Sequence, residues 1–215
     1  MTLTLHSYWR ATAPYRVRIG LALKGLAFDY APVDLLHGDQ SGEAYRAFNG
    51  QGLVPALQAD GRVFTQSLAI LEWLEETRPS PPILPRDPAD RAVVRAMAGI
   101  VACDIHPLNN LRVLKALDAL GYPMGGPGQL AWGSVWIRAG FDALEPMVAR
   151  HGAGFSFGPT PTIADCCLIP QIWSSSRFAV DMALYPALAA VAAHAAAHPA
   201  FLAAHPNRQP DAVKS

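Results

Sequence analysis

LTLHSYWRATAPYRVRIGLALK, residues 3–24, changes its hydrophobic period once, and that change decides the fold. Leu3, Leu5 and Ser7 alternate with Thr4, His6 and Tyr8, the two-residue period of a short strand. After the turn from Trp9 to Pro14, the residues Val17, Ile19, Leu21 and Leu23, with Gly20 and Ala22 between them, predict a buried helix stopping at Lys24–Gly25. Strand, short loop and helix put Thr12 beside a helix N-terminus. Unpaired backbone N–H groups and the positive end of the helix dipole favour an anion there. No cysteine lies nearby, so an anionic sulfur at this point would be a thiolate carried in by a ligand.

Working outward, Phe28–Val33 reads as a second strand, parallel to the first if the connection is a βαβ unit. Leu35–Gln40 is a polar loop, and Ser41–Phe48 predicts a short helix capped by Ser41 and broken by Asn49–Gly52. Leu53–Gln58 reads as a strand starting at a proline, which has no N–H to give a ladder. A cis bond before Pro55 would turn the Val54 N–H and C=O towards a ligand. Only about one X–Pro bond in twenty is cis, and the local sequence leaves both isomers open. Asp60–Gly61 is a hairpin turn. Leu68, Ile70, Leu71 and Leu74 then mark an amphipathic helix ending before Arg78–Pro79. Gln66 and Ser67 stand at its start, either as a second anion-binding helix end or, for Ser67, as a plain N-cap. The order is β-α-β-α-β-β-α.

Pro79, Pro81, Pro82, Pro85 and Pro88 are too dense for a helix or a central strand. They predict an α/β domain over 1–80, a linker over 81–88 and an all-helical domain over 89–215. A long helix opens at Asp87–Pro88, runs to Ile105, kinks at Pro107 and resumes through Leu111, Leu114 and Leu117. His106 and Asn110, four apart, are expected on one face of it, with Arg112 on the next turn. Gly121–Gly128 is a loop, and Trp132–Val148 a further helix. Thr162 with Asp165 three residues on is a capping-box variant before another, which Arg177 follows. Pro186–His205 is Ala-rich and helical, and the polar tail Pro206–Ser215 is expected to be loosely held.

The 215 residues are 51% apolar with zero formal net charge, which gives no reason to expect a nucleic-acid partner. No apolar run approaches the roughly 20 residues of a membrane span, and no leader pattern opens the chain. Three cysteines, Cys166 and Cys167 adjacent, make no disulfide framework. They are expected to pack as small hydrophobes rather than to bind metal, and the cytoplasm is the expected compartment.

An α/β unit with Val54–Pro55 before a strand, Gln66–Ser67 opening the next helix, a Pro-rich linker and a helical remainder resembles a soluble glutathione transferase. More narrowly, the chain resembles the zeta class, the maleylacetoacetate and maleylpyruvate isomerases. Tyr8–Trp9–Arg10 with Tyr15–Ile19, Gln66–Pro79, Asp104–Leu114, Ala164–Gln171, Arg177–Asp181 and Arg208–Asp211 carry the match. One departure stands out. A serine-containing triplet normally follows the Trp-Arg pair, whereas this chain has Ala11, Thr12 and Ala13, leaving Thr12 the turn's one side-chain hydroxyl.

The resemblance implies a thioredoxin-like N-terminal domain, an all-α C-terminal domain, a homodimer, and glutathione as cofactor. It also implies cis–trans isomerisation of a maleyl dicarboxylic acid by reversible thiolate addition. By the same resemblance Thr12, His106 and Arg177 are catalytic, and Arg10, Arg112 and Arg177 hold substrate carboxylates. Val54 would meet the cysteinyl amide of glutathione and Gln66–Ser67 its γ-glutamyl carboxylate, which favours the cis form of Pro55. His106 and Asn110 would approach the sulfur or peptide, while His37, Gln40 and Gln51 reach the glycyl end. Competing readings are conjugation or dehalogenation of small α-halo acids, and a non-catalytic glutathione-binding protein.

Overall fold

The computed structural model describes residues 2–213, which divide into two compact units, Met1–Ile83 with Ala197–Ser215, and Leu84–Ala196. In the first, β1 (Leu3–Ser7) is followed by α1 (Thr12–Leu23), β2 (Asp29–Pro32), the short α2 (Glu43–Arg46), β3 (Ala56–Ala59), β4 (Arg62–Thr65) and α3 (Ser67–Thr77). The sheet order is β2-β1-β3-β4, with β1 parallel to β2 and antiparallel to β3, and β3 antiparallel to β4. This is the expected thioredoxin-like arrangement. Leu3 and Leu5 of β1, Val17 and Leu21 of α1, Leu57 of β3 and Ile70 and Leu74 of α3 form its core. Each such leucine or isoleucine contributes ~1.5–3 kcal/mol by leaving water. Asp60 and Gly61 both have positive φ (48° and 76°), the left-handed pair that a tight hairpin turn requires.

α1 is buried on all sides, Arg16 and Arg18 included. At Gly20 a Cβ would overlap the Leu71 side chain, so α1 and α3 approach backbone to side chain as only glycine permits. Lys24 is also buried, and donates to Glu75 at 2.5 Å and to the Pro81 carbonyl at 2.7 Å. Glu75 in turn accepts from the Ile83 N–H at 2.9 Å. Lys24 is thus an internal ion-pair partner that ties the proline-rich segment to α3, and not the exposed helix-end lysine its position suggests. Both Val54–Pro55 and Ser80–Pro81 are cis; the first agrees with the resemblance. Ser41 closes a 3-10 turn (Asp39–Ser41), and Gly42, not Ser41, precedes α2.

The last residues also depart from expectation. The Ala-rich stretch is two helices, α8 (Pro186–Ala196) and α9 (Pro199–Ala204), because Pro199 cannot continue the first. From Ala197 on, the chain groups with the first unit rather than with the helical one. The tail is pinned too: the Asp211 carboxylate accepts from the Trp9 N–H at 3.0 Å and from the Tyr30 hydroxyl at 2.6 Å. Lys214 and Ser215 lie outside the described residues.

The second unit is helical: α4 (Pro88–Gly99), α5 (Leu111–Ala119), α6 (Pro127–His151), α7 (Ile163–Ser175) and α8. Asp87 caps α4, accepting from Ala89 and Asp90 N–H at 2.9 and 3.0 Å. Thr162 and Asp165 form the expected capping box, with Asp165 fully buried. The expected long helix is interrupted. A π-helical segment (Ile100–Ile105) and a 3-10 turn (His106–Asn109) separate α4 from α5. Cys166 and Cys167 are buried as expected, whereas Cys103, on the π segment, is exposed.

Replacing Glu75 with Gln leaves the buried Lys24 ammonium facing a neutral group. It is expected to lower unfolding free energy by ~3–5 kcal/mol, the cost of breaking a buried pair, measured by urea denaturation.

Candidate glutathione and substrate site

In the first unit, Ala11 is extended (φ −77°, ψ 130°) and precedes α1 without a side-chain cap. The entrance of α1 therefore presents backbone N–H groups that no N-cap side chain occupies. Thr12 is the first residue of the helix and is buried. The loop before it is closed by the Ala11 N–H donating to the Tyr8 carbonyl at 3.1 Å. The Trp9 carbonyl accepts from Arg18 Nη2 at 2.9 Å. Arg10 lies with its guanidinium 5.7 Å from the centre of the Trp9 ring, a cation–π contact that orients it.

At the start of α3, Gln66 is exposed and left-handed (φ 67°), and its Nε2 donates to Gln51 Oε1 at 2.7 Å. Two residues expected to hold glutathione are so brought together from separate loops. Ser67 is buried and is the first helical residue rather than the N-cap. Its Oγ accepts from Arg16 Nη1 at 3.2 Å. A buried guanidinium and the positive end of α3 converge on one hydroxyl, surroundings that favour a carboxylate and fit the γ-glutamyl end of glutathione. Val54 is half-buried at the cis bond.

His37 is exposed, and its Nδ1 lies 2.7 Å from Asp34 Oδ2. Hydrogen bonding to this carboxylate raises the His37 pKa above the ordinary histidine range and lowers that of Asp34. Gln40 Oε1 is buried and accepts no hydrogen bond within the chain. A Cβ at Gly52 (φ 62°) would crowd the Gln40 carbonyl, so the loops carrying Gln40 and Gln51 meet at this glycine.

In the second unit the expectation that His106 and Asn110 share one helical face is overturned. His106 opens the 3-10 turn, while Asn110 leaves the helix (φ −68°, ψ 146°) and caps α5, its Oδ1 accepting from the Arg112 N–H at 3.1 Å. The four-residue rule assumes 3.6 residues per turn. A π segment followed by a 3-10 turn at Pro107 breaks that period. Arg112 is exposed in the first turn of α5. Arg177 is exposed in the 3-10 turn Ser176–Phe178 that follows α7. Its Nη2 donates to Ser174 Oγ at 2.6 Å, and its guanidinium lies 5.8 Å from the Trp173 ring centre and 5.9 Å from that of Phe178. This arginine is fixed in place before any substrate arrives.

Three supporting residues were not singled out from the sequence: Arg16, Arg18 and Asp211. The two arginines had a signal, since they interrupt an otherwise apolar helix two residues apart, and so point to different sides of it. Asp211 had none, because what it touches is set by a chain reversal some 200 residues away in sequence.

Residues 13–77 match the family model "Glutathione S-transferase, N-terminal domain". The chain is 45% identical over 214 residues to a maleylpyruvate isomerase of Ralstonia sp, covering 98% of this chain and 100% of that one. The holo structure of a maleyl pyruvate isomerase, a bacterial zeta-class protein, superposes with a TM-score of 0.95 at 44% identity, covering 98% of this chain and 100% of that one. Maleylacetoacetate isomerase from Anaeromyxobacter dehalogenans 2CP-1 is 45% identical with a TM-score of 0.89, covering 99% and 98%. It has been solved with glutathione, and with dicarboxyethyl glutathione and citrate, in its active site. A thioredoxin-like sheet, a cis Val54–Pro55 bond, an uncapped first helix and full-length similarity at this level agree: the chain belongs to the glutathione S-transferase family, within the zeta-class group of maleylacetoacetate and maleylpyruvate isomerases.

Proposed function

We propose that this protein is a glutathione-dependent cis–trans isomerase that converts a maleyl dicarboxylic acid, maleylpyruvate or maleylacetoacetate, to its fumaryl isomer. The observation that carries the reading is similarity over the whole chain, at 45% identity, to a maleylpyruvate isomerase. Glutathione, when bound, supplies a thiolate whose reversible addition to the double bond permits rotation.

The chain's own residues do the rest. The N-terminal amides of α1 and the Thr12 hydroxyl stabilise negative charge at the helix entrance, and so favour the ionised form of a thiol whose free pKa is about 8.5. Because Ala11 and Ala13 flank it, Thr12 carries this role without a neighbouring hydroxyl. Ser67 and Gln66 hold the γ-glutamyl carboxylate, with Arg16 supplying buried positive charge behind Ser67. The Val54 backbone pairs with the cysteinyl amide, and Gln51, Gln40 and His37 reach the glycyl end. Arg177, held by Ser174 and against Trp173, binds a substrate carboxylate, and Arg10 and Arg112 serve the second carboxylate and the developing enolate charge. His106 approaches the sulfur, and the Asn110 amide NH2 donates while its oxygen caps α5. Residues 1–80 are read as the glutathione-binding domain and the helical domain as supplying the substrate contacts. A homodimer and a cytoplasmic location complete the reading; the first rests on the family resemblance, the second on three cysteines that form no disulfide. Among the described residues no helix is long and apolar enough to cross a membrane.

Incubation with maleylpyruvate or maleylacetoacetate and glutathione is expected to yield the fumaryl product, followed by ultraviolet absorbance. Absence of product with both acids overturns the assignment. Thr12→Ala is expected to lower kcat by ~10–100-fold, the worth of a hydrogen bond to a charged group, with little change in substrate KM. Arg177→Ala is expected to raise substrate KM by a similar ~10–100-fold while glutathione affinity stays near that of the parent.

A further inference from the structure

Trp9 has both ends of its backbone held by charged groups that do not pair with each other. Its N–H donates to Asp211 Oδ2 at 3.0 Å, and its carbonyl accepts from Arg18 Nη2 at 2.9 Å. Arg18 is 1% exposed and is itself fixed by Ser7 Oγ at 3.1 Å and by the Ala204 carbonyl, at the end of α9, at 3.0 Å. Asp211 is fixed by the Tyr30 hydroxyl of β2 at 2.6 Å. The titratable and charged groups facing Asp211 are therefore Arg18 from α1, Tyr30 from β2 and Tyr8 from the loop.

We infer that Asp211, acting with Arg18 through the Trp9 backbone, is a positioning residue for the thiolate site. Two dihedrals separate a held Trp9 carbonyl from the Arg10 peptide, and two more from Ala11, whose extended conformation sets where α1 begins. With the Trp9 N–H and C=O both fixed, the loop has little freedom to tilt the first amides of α1 or the Thr12 hydroxyl away from a bound sulfur. Electrostatic stabilisation depends on donors aimed in advance at the charge. A chain lacking the usual serine leans on those amides more heavily, so the aim of the loop matters more here. The tail is thus part of the site although it touches no ligand.

This inference rests on the proposed thiolate site, and its test reads thiol ionisation rather than isomerase turnover. Asp211→Asn retains one acceptor oxygen and folds on the same core, so it is the variant of choice, with Asp211→Glu as the conservative rescue. The thiolate absorbance of bound glutathione is titrated against pH in the parent and both variants. Asp211→Asn is expected to raise the bound thiol pKa by about one unit, reducing the thiolate fraction ~10-fold at pH values below it. The same variant should speed hydrogen exchange at the Trp9 and Ala11 amides in the ligand-free protein. Asp211→Glu should recover at least part of the shift. Phe201→Leu, which loosens α9 without touching Trp9, serves as the control and should lower Tm with no change in thiol pKa. An Asp211→Asn protein with the parental thiol pKa overturns the inference and leaves the proposed function standing. A parent that binds glutathione without ionising it overturns the thiolate site as well.

Discussion

The structure depends on a helix that must be buried on every side. α1 packs against the sheet and α3 on one flank and against α9 on another, so no face of it is left for water. A helix in that position is normally apolar all round. This one carries Arg16 and Arg18 into the interior, and each has become a fixed cation with a task. Burial lowers the Arg18 pKa to about 10, which still leaves it charged at neutral pH. Its donors are spent on Ser7, Trp9 and Ala204, joining β1, the first loop and the tail. Arg16 lies beside Ser67 and so sets the charge at the entrance of α3. The same constraint explains Gly20, where any side chain would push α3 off α1.

The helical unit solves a different problem. His106 and Asn110 had to leave a long helix in directions that a regular α-helix would not give them. A π segment and a 3-10 turn absorb Pro107 and turn Asn110 into the cap of α5. The π segment is closely packed: a Cβ at Gly140 of α6 would overlap the Ile105 side chain. Irregular turns of this kind are common where a helix serves a site, because they re-aim side chains without a break in the chain. Arg177 is placed by similar means, in a short turn beyond α7, with a buried serine and two aromatic rings as its supports.

What could be read from the sequence was whatever local period and local chemistry dictate. The alternation in Leu3–Ser7, the apolar run of α1, the Asp60–Gly61 turn, the Thr162–Asp165 capping box and the proline-dense boundary each carry their physical cause within a few residues. The resemblance drawn from Trp9–Arg10, Val54–Pro55 and Gln66–Ser67 was enough to indicate the family and its cofactor. Contacts between distant segments had no such local trace. Lys24 looked like a helix-end lysine and is half of a buried pair with Glu75; the tail looked loose and is anchored by Asp211; His106 and Asn110 looked like neighbours on one face and are not.

The sequence by itself determined the order of strands and helices, the place of the α/β-to-helical boundary, and the presence of a helix entrance suited to a thiolate. Tertiary structure alone decided which charges would be buried, which residues stand behind Thr12 and Ser67, and that the end of the chain returns to hold its beginning. The physical reason is range. Helix and strand periods, caps and turns are settled by neighbours in sequence, whereas burial, pairing and aim are properties of surfaces that exist only once the chain has closed on itself.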